Sequence, residues 1–316
     1  MSQAGDSTAE RSAAFTPLTP PPMDREHWRA EVALALVALV WGTTFVVVKQ
    51  ALGQISTTYF LAIRFWLASL CMLLLFVRPF YRAGFAKVME GLRGGAIAGI
   101  FLWLGYMLQT FGLKYTTAGK SGFLTGLYIA LVPLLVAARY RRWPVAPELI
   151  GIGMAVAGMA VLTAPSLSSG GLAMNVGDLL TILCAVAFAI HLLTLGHFAK
   201  RAMVEAVALG QIACAAVLST LSLAAERPVA AWSGSVLFAL GLTSIFATAL
   251  AFSLQTWGQR HTTATRTAVI FALEPVFALM AAVLWGHEAL TWQAVAGGAL
   301  ILGGILFVEL KPAGTR

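Results

Sequence analysis

Leu108-Gln-Thr-Phe-Gly-Leu-Lys-Tyr-Thr-Thr-Ala118 and Leu254-Gln-Thr-Trp-Gly-Gln-Arg-His-Thr-Thr-Ala264 are one stretch of sequence written twice. Seven of the eleven positions are identical, and Phe/Trp and Lys/Arg are conservative pairs. Chance in a chain of this composition gives roughly one match. The offset of 146 residues holds without a gap to Leu127/Leu273, Gly151/Gly297 and Gly158/Gly304. The chain therefore divides into two copies, 30–164 and 178–310, joined by a turn-like loop over 165–177.

Each copy is built for lipid. Of 316 residues, 59% are hydrophobic and only 11% are Asp, Glu, Lys or Arg; a soluble domain carries about 25% charged residues. Mean hydropathy is +0.84. A helix needs ~20 apolar residues to cross a bilayer. Runs of that order lie at 32–48, 57–77, 94–113, 121–138, 149–177, 179–199, 206–225, 228–259, 262–284 and 289–308. They do not alternate as barrel strands do, so helices are the reading that satisfies the backbone in hydrocarbon. The predicted fold is all-α integral membrane, with ten transmembrane helices in two five-helix repeats. Five is odd, so the second copy enters the bilayer from the opposite side and the repeats are inverted. That symmetry underlies alternating access in many secondary carriers.

The basic residues fit the same layout. With the N-terminus in the cytoplasm, 16 of the 21 Lys and Arg fall on the inner side. Lys49, Lys114, Lys120 and Arg227 fall outside, and Arg64 lies within a span. This positive-inside bias predicts that both termini are cytoplasmic. The net charge of +8 thus serves topology and calls for no nucleic-acid partner. Residues 1–29 read as a disordered cytoplasmic tail without the apolar core of a signal peptide, and 311–316 as a second short tail. Cys71, Cys184 and Cys214 all fall inside spans and read as small packing residues.

The chain also resembles a known family. Trp41-Gly-Thr-Thr-Phe45, Arg64-Phe65, the stretch Leu113-Lys-Tyr-Thr-Thr-Ala-Gly-Lys-Ser-Gly-Phe-Leu-Thr-Gly-Leu-Tyr128, Thr262-Thr-Ala-Thr-Arg266, Leu273-Glu-Pro275 and Gly286-His-Glu288 are similar to the EamA family of the drug/metabolite transporter superfamily. The first copy departs from the pattern: Tyr140-Arg-Arg142 stands where Gly-Glu is common, and Ile129 where proline is common. The resemblance implies a bacterial inner-membrane carrier that often exports amino acids or other small metabolites.

Candidate site residues follow from depth and polarity. Tyr128 and Glu274 each lie 12 residues beyond a Thr-Thr pair, ~18 Å along a helix and near the bilayer midplane. A carboxylate facing lipid costs several kcal/mol, so Glu274 is expected either to face a cavity, holding substrate or a proton, or to hydrogen-bond within the bundle. Pro275 after it loosens the helix ladder. Ser121, Thr125 and Tyr128 share one face, with Thr267, Phe271 and Glu274 as repeat mates. Arg64 reads as an anchor for a substrate carboxylate, or as a snorkelling or carbonyl-bonded side chain. His191, ~21 Å from the outer end of its span, is a second proton carrier or an interior histidine.

Trp41 and Thr44 in the first span, and a stripe of Trp103, Tyr106 and Thr110 in the third, offer an aromatic wall for apolar or cationic solutes, or ordinary packing. Gln109 and Gln255 are repeat mates able to bond across helices. Lys120 and Arg266 are gate residues or snorkelling cations. Gly95–Gly99 and Gly122–Gly126 read as close-packing pairs.

Several chemistries are not predicted. Gly119-Lys-Ser121 ends like a phosphate-binding loop, but Lys114 replaces the required glycine. No cofactor, metal, ATPase subunit or catalytic residue is expected. The expected partners are a small-molecule solute and the lipid bilayer. Export of amino acids or similar metabolites, with protons as a candidate coupling ion, leads. Exchange of a phosphorylated or nucleotide-linked sugar, a membrane enzyme and a structural subunit are the alternatives.

Overall fold

The computed structural model describes residues 25–116, 118–140, 145–169, 175–286 and 290–310. Thirteen α-helices are formed among them. The first copy holds α1 (Arg25–Ala51), α2 (Thr57–Ala83), α3 (Phe85–Tyr115), α4 (Ala118–Gly126), α5 (Tyr128–Tyr140) and α6 (Ala146–Ser169). The second holds α7 (Val176–Ala199), α8 (Val204–Leu221), α9 (Gly234–Ser244), α10 (Ala251–His261), α11 (Ala264–Phe271), α12 (Leu273–Gly286) and α13 (Trp292–Leu310). A 3₁₀ turn, Ser222–Ala225, follows α8, and a π-helical turn, Ile245–Leu250, joins α9 to α10. The one extended contact among the described residues is an isolated bridge between Ile55 and Ala230.

Among the described residues, seven helical stretches are long and apolar enough to cross a membrane: Arg25–Ala51, Thr57–Ala83, Phe85–Tyr115, Ser121–Arg139, Val176–Ala199, Val204–Ala224 and Gly234–His261. Two shorter apolar helices, Ala146–Val161 and Val295–Phe307, accompany them. The protein is a multi-pass membrane protein, and its lipid-facing helix sides carry exposed leucines such as Leu73, Leu74 and Leu75.

Some boundaries differ from those read in the sequence. The first helix begins at Arg25, inside the predicted tail, because Glu26 favours a helix N-terminus and the Glu31 carboxylate, one turn on, pairs with His27 at 2.9 Å. Helix α6 continues past Pro165 to Ser169, and α7 already starts at Val176, so the predicted loop is shorter than 165–177. Asn175 sets that start: its side chain accepts from Asp178 N while Asp178 accepts from Asn175 N, a reciprocal capping box. Residues 1–24, Arg141, Arg142, His287, Glu288 and the tail 311–316 lie outside the described residues.

Two helical stretches break at near-equivalent positions, one residue out of register under the 146-residue offset. Helix α4 gives way to α5 at Leu127, and α11 to α12 at Ala272. Pro275, which lacks an amide donor, follows the second break. Its mate in the first copy is Ile129, so that break forms without a proline.

Glycines fix the tightest crossings. A Cβ on Gly158 would lie 2.6 Å from the Gly297 carbonyl oxygen, and one on Gly304 2.6 Å from that of Gly151. Helices α6 and α13 are therefore in backbone contact and run antiparallel. Gly95 and Gly99 place α3 on α8: a Cβ there would meet Val207 O at 2.3 Å and Gln211 O at 2.6 Å. The second predicted pair divides. Gly126 is tight on Met159 Sδ at 2.6 Å, but Gly122 faces open space. Gly84, at φ 82°, turns α2 into α3 in a conformation that favours glycine.

The two ends of the bundle differ in charge. Helices α1, α3, α8 and α11 begin at the first end, where α2, α7 and α10 finish. It carries Arg25, Arg29, Arg78, Arg82, Lys87, Arg93, Lys200, Arg201, Arg260 and Arg266. At the second end Glu226 accepts from Lys114 Nζ at 2.6 Å and from Thr58 N and Oγ1 at 3.0 and 3.2 Å.

Two expectations test this packing. Gly95→Ala should lower unfolding stability by about 1–3 kcal/mol through overpacking. Gly122→Ala should be neutral or gain about 0.5–1 kcal/mol from helix propensity; thermal melts in one detergent compare them. Burial alone would raise the Glu226 carboxyl, but the bonds from Lys114 and Thr58 outweigh it and hold the group below its ordinary value. The contact is thus fully present above the ordinary carboxylate range and is lost as pH falls through the lowered value. Melting should lose less between about pH 5 and pH 3 in Glu226→Gln than in the parent.

Candidate functional site

A cavity lies between the two copies. It is open on one side. Ten of the eleven predicted site residues line it: Trp41, Thr44, Arg64, Tyr106, Thr125, Tyr128, His191, Gln255, Phe271 and Glu274. Gln109 and Thr110 line it too. Trp103 does not. It lines a lateral apolar groove with Met107 and Phe111, because at about 100° per residue it falls on the opposite side of Tyr106 from Leu102, Gln109 and Leu113 around the helix. The stripe that faces the cavity is Leu102, Tyr106, Gln109 and Leu113.

Arg64 is 4% exposed, yet no carboxylate neutralises it among the described residues. Its Nε donates to Thr248 Oγ1 at 2.7 Å, and its Nη2 to Tyr106 Oη at 3.2 Å and to the Ala247 carbonyl at 3.4 Å. The guanidinium carbon lies 4.8 Å from the Tyr106 ring centroid, a cation–π distance. The π-helical turn explains the acceptor. Its i→i+5 pattern widens the backbone, and the Ala247 carbonyl also accepts from Trp41 Nε1 at 2.9 Å. Such turns recur at functional sites.

Glu274 enters from the start of α12, immediately after the helix break. Its carboxylate forms no hydrogen bond or ion pair with a described residue, and it lines the cavity with Arg64 without pairing to it. The cavity therefore holds one cation and one carboxylate, kept apart.

An aromatic cluster lines the same cavity. Trp41 packs on Phe252 at 5.2 Å and on Phe271 at 5.1 Å. Tyr106 packs on Phe188 at 5.5 Å and on Phe252 at 6.2 Å. Sequence reasoning missed Phe188 and Phe252. A signal existed for Phe252, which stands 146 residues after Tyr106 as Glu274 does after Tyr128. None existed for Phe188, Thr248 or Ala247.

Hydrogen bonds order the rest. His191 lines the same cavity as Glu274; its Nε2 bonds Gln211 Oε1 at 2.8 Å, and Gln211 donates to Thr256 at 3.0 Å. Thr44 Oγ1 donates to the Trp41 carbonyl at 2.9 Å. Gln109 crosses from α3 to Thr125 on α4 at 3.2 Å, whereas Gln255 donates along its own helix to Gln259 at 3.4 Å. The Gln255 carbonyl oxygen is buried without a partner, an acceptor aimed at a donor not supplied by the protein.

The lining continues to Val48 and Leu113, beside Lys49 and Lys114 at the second end. Toward the first end it stops at Leu192, Gln255 and Phe271. Beyond them Gln259 ties α10 to the Leu192 carbonyl at 3.0 Å. Arg266 contacts His27 and lies 3.4 Å from Glu31, joining α11 to α1. Its repeat mate Lys120 has a side chain outside the described ones. No cluster of three or more His, Cys, Asp or Glu suited to a metal is formed among the described residues.

Comparison with known proteins matches this architecture. An uncharacterized transporter of Archaeoglobus fulgidus is 34% identical over 282 residues, covering 89% of this chain and 86% of that protein. The uncharacterized transporter YvbV of Bacillus subtilis is 26% identical over 294 residues, covering 90% and 92%. A crystal structure at 20% identity superposes with a TM-score of 0.74 over 90% of this chain and 99% of the other, and so shares the fold. The sequence also matches the EamA-like transporter family twice, over residues 28–164 and 175–310. With both halves of the chain matched, this protein belongs to the EamA-like transporter family.

Proposed function

We propose that the protein is a secondary carrier that exports amino acids or similar small zwitterionic metabolites by alternating access, with Glu274 exchanging a proton or an ammonium group. One observation carries the reading: Arg64 and Glu274 line one cavity, and neither neutralises the other. An amino acid supplies the missing halves of both. Its carboxylate meets the Arg64 guanidinium, and its ammonium meets Glu274 or the unpartnered Gln255 oxygen. Its side chain lies against Trp41, Phe271 and Tyr106, while Thr44, Thr125, Tyr128 and His191 complete the lining. A phosphorylated sugar would need several cations, and among the described lining residues Arg64 is the sole Lys or Arg.

The proposed scaffold has ten membrane-spanning segments in two inverted repeats in a bacterial inner membrane, with both termini cytoplasmic. Support comes from contacts that exchange under the 146-residue offset. Gly158 on Gly297 becomes Gly304 on Gly151, and Gly112 near Leu180 becomes Gly258 near Leu34. The antiparallel run of α6 against its mate α13 is what inversion requires. The basic end is the cytoplasmic end by the positive-inside rule. The cavity reaches the opposite end and is closed at the basic one, which corresponds to one of the two arrangements a carrier alternates between.

In proteoliposomes loaded with labelled amino acids, the parent protein should show saturable flux that a pH gradient accelerates. Arg64→Gln should cut kcat/KM at least tenfold, since a charge-assisted hydrogen bond contributes about 1.5–3 kcal/mol. Glu274→Gln should abolish the response to the pH gradient. Flux that keeps its full pH response in Glu274→Gln would remove that residue from coupling. In a chain cleared of its three native cysteines, Cys at position 128 should react with a water-soluble maleimide and be protected by substrate. Cys at position 103 should react with a membrane-permeant reagent and not with the soluble one.

A further inference from the structure

A second crevice opens on the side of the bundle at its basic end, between the end of α2, the start of α8 and the end of α10. It is an open crevice lined by Phe76, Val204, Ala208, Trp257, Glu205 and Arg260, with Ser253 and His261 beside them. Its polar groups fall into two classes. Ser253 Oγ already donates to the Ala249 carbonyl at 2.6 Å. His261 Nδ1 bonds the Trp257 carbonyl at 2.9 Å, and its Nε2 lies 3.5 Å from Glu26. Glu205 and Arg260 are different: neither hydrogen-bonds nor ion-pairs with a described residue, although they line one crevice.

Two opposite charges that share a pocket without closing on each other suit an occupant carrying both signs. The position narrows its chemistry. The crevice lies where α2 and α10 finish and α8 begins, at the end of the bundle that also carries Arg78, Arg82, Lys200 and Arg201, the level at which lipid phosphates sit. Its floor, Phe76, Val204 and Ala208, is apolar, and Phe76 adjoins the exposed Val77 and Leu73 of α2, a path for a hydrocarbon chain. Trp257 adds an amphipathic ring of the kind that sits at headgroup depth.

We propose that this crevice binds a phosphate joined to a primary ammonium, the headgroup chemistry of phosphatidylethanolamine. Arg260 takes the phosphate and Glu205 the ammonium. Arginine matches phosphate oxygens in bidentate geometry, and a primary ammonium offers Glu205 the N–H donors that a quaternary one lacks. Binding here is separate from the central cavity and stands or falls independently of any flux.

The test is native mass spectrometry of the delipidated protein in detergent. Phosphatidylethanolamine, phosphatidylcholine, phosphatidylglycerol and soluble O-phosphoethanolamine are titrated in turn. One equivalent of phosphatidylethanolamine should bind at least fivefold more tightly than the other two lipids. Glu205→Gln and Arg260→Gln should each weaken it about tenfold, whereas Arg82→Gln, an exposed cation at the same end, should not. Tighter binding of the lipid than of O-phosphoethanolamine identifies a membrane ligand; equal binding identifies a soluble one of the same chemistry. Equal retention of all three lipids, or retention of the preference in both crevice variants, overturns the proposal. Melting temperatures of the unliganded variants, matched to the parent, exclude misfolding as the cause of a loss.

Discussion

Hydrocarbon offers no partner to a backbone amide or carbonyl, so every departure from α-helix inside the membrane must be satisfied by the protein or by water in a cavity. Among the described residues, three departures within the spans lie around the central cavity. The π-helical turn presents the Ala247 carbonyl to Trp41 and Arg64. The break at Leu127 comes one residue before Tyr128, and the break at Ala272 two residues before Glu274. Irregular backbone thus sits where polar side chains and space exist to accept it. The buried guanidinium depends on the same arrangement: without the freed carbonyl, the Thr248 hydroxyl and the Tyr106 ring, a charge at this depth would lack compensation.

The wall of the cavity is close to symmetric in position and asymmetric in chemistry. Positions 102/248, 106/252, 109/255, 125/271 and 128/274 line or contact it in pairs 146 residues apart. The two glutamines repeat, but Tyr106 faces Phe252, Thr125 faces Phe271 and Tyr128 faces Glu274. Arg64 corresponds to Gly210, which packs against the backbone of Leu92. Duplication supplies the framework, and substitution at a few mated positions gives one copy the cation and the other the carboxylate.

The sequence exposes the helices because lipid imposes their length and composition, and it exposes much of the lining because polar residues at midplane depth have few places to go. Glu274, Arg64 and Tyr128 were found on those grounds. The rest depends on rotation and contact. Trp103 lies on the same helix as Tyr106 but one step off its face. Thr248 became the partner of Arg64 through a backbone widening that no residue type announces. Helix α1 reaches back to Arg25 through Glu26 in its first turn and the His27–Glu31 pair, local signals that the polar composition of residues 1–29 obscures.

The crossing of α6 over α13 has a mechanical meaning. There, peptide units touch peptide units at Gly151, Gly158, Gly297 and Gly304, with no rotamers to absorb a displacement. Side-chain interfaces tolerate sliding by repacking; a backbone interface tolerates it least. This pair is accordingly the stiffest crossing of the bundle, and the broken helices are where the backbone yields more readily.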